Sequence, residues 1–122
     1  MRPLPAATPL DPAGLQAILR LSPVAIGVTR VRDGVIVEFN DAFLKLIGYG
    51  RDEVVGHTSA ELGIWVDAAE RAAVFRRLAT GASVDEYVST IRRKDGAIRR
   101  VRFSAAVADL GGEPFLVGHL RD

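Results

Sequence analysis

Residues 33–43 read Asp33-Gly34-Val35-Ile36-Val37-Glu38-Phe39-Asn40-Asp41-Ala42-Phe43, and within them the chain changes its structural period. Asp-Gly supplies the positive-φ position a tight hairpin needs, and Val35 to Phe39 is a β-branched or apolar run. Asn40 then stands where a side-chain oxygen accepts an N–H from the next helical turn, with Phe39 and Leu44 at the two positions of a hydrophobic staple. A strand hands over to a helix at this asparagine. Upstream, Val24 to Val31 is a second β run, so Arg32-Asp33-Gly34 closes a hairpin. Downstream, Phe43, Leu46 and Ile47 share one face of a short helix that Gly48 can end in the left-handed conformation.

Outward from this stretch the pattern extends in both directions. Before it, Asp11 can cap a helix, Pro12 suits its first position, and Leu10 with Leu15 can form a staple. Leu15, Ile18 and Leu19 give that helix one sticky side, and Pro23 ends it. After it come helical turns at Arg51 to Val55, ended by Gly56, and at Thr58 to Leu62, where Thr58 and Glu61 are spaced as a capping box. The longest helix is expected over Ala68 to Ala79, capped by Asp67 with Glu70 and closed by Gly81, with Ala72, Phe75, Leu78 and Ala79 inward. From Val84 the period becomes two: Tyr87, Ser89 and Ile91 on one face, a turn at Lys94-Asp95-Gly96, then Val101, Phe103, Ala105 and Val107. Gly111-Gly112 precedes a last strand, Pro114 to Leu120. Segregated runs of strands and helices predict an α+β domain with an antiparallel sheet.

A chain of 122 residues, 48% hydrophobic and 25% charged, is one domain's worth of globular polypeptide. The expected organisation is a proline-rich leader over residues 1–10, a flanking helix over 11–21 and the domain proper over 22–122. The longest stretch without Asp, Glu, Lys or Arg is nine residues, Leu21 to Thr29, against the roughly 20 that a membrane helix requires. Sixteen basic and fifteen acidic residues leave a formal charge of +1, which offers no general attraction to nucleic acid or anionic lipid. The absence of cysteine excludes disulfides, thiolate metal sites and a cysteine nucleophile, and suits a reducing cytoplasm.

Catalytic chemistry has little to stand on. No P-loop, HExxH, EF-hand or complete GxGxxG occurs, and two histidines, His57 and His119, without cysteine do not make a metal shell. A small hydrolase or isomerase built on either imidazole is the weakest of three readings. The basic residues Arg92, Arg93, Lys94, Arg99, Arg100 and Arg102 fit a solvated sheet edge, with an anion or acidic partner as the alternative. More informative is a set of apolar side chains contributed singly by successive elements. Phe39, Phe43, Ile47, Trp65, Phe75, Leu78, Tyr87, Ser89, Ile91, Val101, Phe103 and Leu120 would converge between helices and sheet, as a packed core or as the lining of a small-molecule cavity.

Four segments in register with these elements resemble a PAS domain: Asp33 to Phe43, Gly48 to Gly56, Arg92 to Gly96, and Val117-Gly118-His119-Leu120-Arg121-Asp122. The resemblance runs from Ser22 onward. It implies a five-stranded antiparallel sheet with a helical face around a pocket, and a non-catalytic sensor or interaction module of a signal-transduction or two-component system. It further implies homodimerisation through the amino-terminal helix, with Leu15, Ile18 and Leu19 as candidate contacts. The light-sensing flavin relatives need a cysteine in the loop that here reads Gly56-His57-Thr58-Ser59, and Ser59 holds its place. Those relatives also use amides where this chain has Ile91, Val101 and Leu120. Haem-binding relatives take an axial histidine from the long helix, which has none here. The resemblance therefore implies neither flavin nor haem, and leaves a small apolar or amphipathic ligand, a downstream effector domain or partner chain, or a filled core used for docking alone. It is compatible with a piece of a sensor histidine kinase or diguanylate cyclase, or with a stand-alone protein.

Overall fold

Asn40 organises the beginning of the domain in the computed structural model, which describes residues 12–122. Its Oδ1 accepts from the backbone N–H groups of Phe43 and Ile26, both at 3.0 Å. Its Nδ2 donates to the carbonyls of Val24 at 2.8 Å and Leu19 at 3.1 Å. One buried amide thus caps α2 (Asp41–Ile47), fixes the start of β1 (Ala25–Arg30) and ties down the end of α1 (Pro12–Leu21). The side chains of Pro12 and Leu15, the Asp11 cap and the Leu10–Leu15 staple lie outside the described residues. β2 (Ile36–Phe39) folds back on β1 through a turn in which Asp33 accepts from the Arg30 guanidinium at 2.7 Å and from Val35 N–H at 3.1 Å.

The helical connection follows its local signals. α2 ends at Gly48, whose φ of 77° lets its N–H reach the Leu44 carbonyl. α3 (Arg51–Val54) has the Glu53 carboxylate on Gly50 N–H, and α4 (Ser59–Leu62) has the Thr58–Glu61 capping box. Short helices of this kind are held by packing, and Val54 is fully buried. α5 (Ala68–Ala79) is capped by Asp67, which accepts from Ala69 and Glu70 N–H. Glu70 does not complete a capping box; its carboxylate instead accepts from the buried Ser89 hydroxyl. The buried residues of α5 are Val74 and Leu78, while Phe75 is half-buried and Ala79 exposed.

β3 (Val84–Arg92), β4 (Ile98–Leu110) and β5 (Glu113–Arg121) complete an antiparallel sheet in the order β2-β1-β5-β4-β3. The last strand therefore inserts beside the first, and β1 and β5 pair from Ala25↔Leu120 to Arg30↔Phe115. The register of β3 on β4 slips between Val84 and Tyr87, where Glu86 has φ 52° and its N–H is taken by Ser104 Oγ. Beyond the slip Ser89 and Ile91 point inward, but Tyr87 is left 37% exposed. The helical segment is laced to both sheet edges, by Ile36 N–H to the His57 carbonyl and Arg92 N–H to the Ile64 carbonyl, which occupies edge groups that would otherwise be open to another chain.

Candidate functional site: a cavity over a glycine floor

The five strands present one face to α2, α4 and α5, and a cavity of about 60 Å³ remains between them. Its floor is set by a residue pair with no side chains. Gly27 of β1 and Gly118 of β5 stand opposite each other at the middle of the sheet. A Cβ at Gly27 would lie 3.2 Å from Phe43 Cε2, and one at Gly118 3.1 Å from Phe103 Cε2. The rings of Phe43 and Phe103 therefore rest on bare backbone. Phe43 is backed by Phe39, with ring centroids 6.0 Å apart, and Phe103 by Trp65, edge-on at 5.5 Å.

Eight of the twelve residues proposed from the sequence line this space: Phe43, Trp65, Phe75, Ser89, Ile91, Val101, Phe103 and Leu120. The other four lie elsewhere. Phe39 and Ile47 are packed into the cluster around α2, Leu78 is buried on α5, and Tyr87, opposite Phe103 on the helix-covered face, lies at its edge beside Glu70 and stays 37% exposed. Gly27, Thr29, Ile36, Ser59, Ile64, Leu116 and Gly118 complete the wall; of these the sequence pointed only to Ser59, and only as the residue in the place of the flavin relatives' cysteine. Opposed glycines become visible only once β1 and β5 are known to pair, and that pairing spans the whole domain.

Polar groups collect at the rim on the α5 side. Ser89 donates to Glu70, whose carboxylate, after desolvation, contributes to holding the Tyr87 phenol above its usual pKa. Ser59 accepts from Arg71 Nε at 2.8 Å, and the Arg71 guanidinium lies 4.1 Å from the centroid of the Phe75 ring. Desolvation lowers the pKa of Arg71, which still stays charged at neutral pH.

Neither histidine reaches this cavity. His57 Nδ1 contacts Glu61 at 3.0 Å on an exposed turn, and His119 pairs with Ile26 and Ser104 in the sheet, its side chain alternating away from the inward Gly118 and Leu120. Among the described residues no cluster of three or more His, Cys, Asp or Glu could hold a metal, and no helix is long and apolar enough to cross a membrane. A flavin thiol adduct needs a cysteine that the sequence lacks, and haem needs an axial donor that the wall lacks. About 60 Å³ is also far below the ~300 Å³ at which ordinary ligand sites begin, so the core as packed fits neither group. The basic hairpin is largely engaged locally: Lys94 with Glu53, Arg93 with the Lys45 carbonyl, Arg99 with Asp122 and Arg102 with Glu86.

Sheet, helices and the cavity between them define a single-sheet α+β domain with one concave, apolar interior. A family model for the PAS domain matches residues 23–122, and the chain belongs to the PAS domain family. Solved structures agree. The PAS domain of an HTR-like protein from Haloarcula marismortui is 30% identical, with a TM-score of 0.70 over 90% of this chain and 89% of that one. A domain of a sensory box sensor histidine kinase/response regulator from Geobacter sulfurreducens is 24% identical, with a TM-score of 0.73 over 90% and 92%, a likeness of fold. An RNA-binding light-oxygen-voltage receptor is 27% identical with a TM-score of 0.76; all of this chain matches 36% of that one. No curated protein matches the chain.

Proposed function

We propose that this domain is a non-catalytic sensory module of a signal-transduction protein, in which a small apolar molecule enters the space between α5 and the sheet. The observation that carries this reading is an apolar cavity resting on the Gly27–Gly118 seam, where an occupant must press on rings that touch the backbone directly. A ligand that favours one of two core packings shifts their populations by its difference in affinity between them. The shift passes to an effector domain or partner chain through α1 and the outer face of the sheet. Leu19 is buried and Leu15 lies outside the described side chains, so a homodimer seam on α1 would use Ile18 and Leu21, which are 49% and 78% exposed. The cysteine-free sequence is in keeping with work in the cytoplasm.

A second reading, a docking module with a filled core, draws support from the size of the cavity, which is smaller than the ~150 Å³ that accepts benzene. Native mass spectrometry of protein purified without added ligand separates the two. The sensory reading expects a bound small molecule, or a rise in melting temperature with benzene or a similar apolar probe. A bare mass together with an unmoved melting temperature would establish the docking reading instead.

A further inference from the structure

Two spaces lie behind α5, and one ring stands between them. The central cavity and a second of about 150 Å³ beneath the β1–β2 hairpin share Phe75, with Thr29 and Leu116. Phe75 is half-buried, on a helix that fully buries only Val74 and Leu78 among its described residues. Across the ring lies the Arg71 guanidinium. Arg71 Nε is bonded to Ser59, which lines the first space, and a terminal nitrogen lies 3.6 Å from the position of a Cβ on Gly34, which lines the second. The cation therefore sits over the partition.

Arg71 is half-buried, yet no carboxylate among the described residues pairs with it. The acidic groups nearby are committed elsewhere: Asp33 to Arg30, Glu61 to His57 and Thr58, Glu70 to Ser89. A sheltered guanidinium held by a neutral hydroxyl keeps unused donors in a fork that matches a carboxylate.

We propose that the ligand is a small apolar monocarboxylate, whose head replaces Ser59 on Arg71 and whose hydrocarbon body enters the space opened when the Phe75 ring swings out from between the two cavities. This rests on the sensory reading and sharpens it. The exchange of a neutral acceptor for an ionised one strengthens the bonds to the guanidinium, and the swing gives up only a partly exposed cation–π contact. One cation matches one negative charge, and the Glu70 carboxylate at the same rim disfavours a dianion. An apolar body gains from burial against Phe103, Leu116 and Trp65.

Trp65 is the single tryptophan and lies in the cavity wall, so its fluorescence reports entry. Titration of the whole chain with hexanoate and with the neutral hexanamide is expected to give roughly tenfold or more tighter binding of the acid. Arg71→Gln should abolish that preference and leave hexanamide binding unchanged, and Phe75→Ala should tighten both. If Arg71→Gln does not fold, Arg71→Lys, which keeps the charge but loses the fork, should show a reduced preference. Equal binding of acid and amide by the wild-type chain, or a preference that survives these Arg71 variants undiminished, overturns the carboxylate assignment and leaves the sensory cavity standing. No response to either probe, in the wild type and in Phe75→Ala alike, removes the cavity reading itself.

Discussion

The core is packed differently on its two sides. Around α2, Ile47 and Val54 are wholly buried, and Ile36, Phe39, Phe43, Ile91 and Val101 close around them. α2 buries two of its seven residues and α5 two of its twelve, and beside α5 two spaces remain open. One sheet thus carries a side that specifies the fold and a side with room to rearrange. Helices this short draw their stability from burial, so the lightly anchored α5 is the element an occupant can move at least cost.

The contrast is sharpest in the two phenylalanines that face the same cavity from opposite sides. Phe43→Ala should cost about 3–5 kcal/mol in urea unfolding, the range for a ring removed from a tight core. Phe75→Ala should cost less than about half as much, because its site is already half open. Equal losses would break the distinction between the two sides.

The helix caps offer a second, smaller comparison. Asn40→Ala removes a cap and also orphans the Ile26 N–H and the Val24 and Leu19 carbonyls, and is expected to cost roughly 2–4 kcal/mol. Asp67→Ala removes an exposed cap from α5 and should cost about 1 kcal/mol in the same denaturation measurement. A larger loss at Asp67 would mean that α5 is anchored more firmly than its burial implies.

The smallest effect concerns the hairpin that roofs the second space. Its hydrogen bonds to the Arg30 guanidinium, then to Val35 N–H, lower the Asp33 pKa from 3.8 to about 2. A depressed folded-state pKa contributes stability above the unfolded value, and that contribution is lost as pH falls from about 4 toward 2. Unfolding midpoints across this interval should fall less steeply for Asp33→Asn than for the wild type. Parallel profiles would show that the hairpin carboxylate has no part in acid sensitivity.

Local chemistry made most of the fold readable from sequence. The Asn40 cap, the Thr58–Glu61 box, the Asp67 cap and the Asp-Gly turns act over three or four residues, and each stands where its spacing placed it. Two things were not local. The β3 slip at Glu86 keeps Tyr87 opposite Phe103 but at the edge of the covered face, 37% exposed, and a left-handed glutamate carries no sequence signature comparable to Asp-Gly. Helical periodicity also gave α5 an inward face through Ala72, Phe75, Leu78 and Ala79; Leu78 is buried and Phe75 lines the cavity, but the crossing of α5 over β3 and β4 buries Val74 and leaves Ala79 exposed. The cavity was legible in its aromatic half, because large apolar residues announce themselves. Its glycine half depends on β5 lying beside β1, which spacing along the chain does not encode.

That seam has a mechanical consequence. Most sheets meet their helices through a layer of methyl and methylene groups that soaks up small displacements. Between Gly27 and Gly118 this cushion is missing, so a nudge on either ring is received by the peptide planes of two neighbouring ribbons. Ile26 and His119, adjacent to those glycines and also paired, project to the far side, where the same nudge arrives undamped.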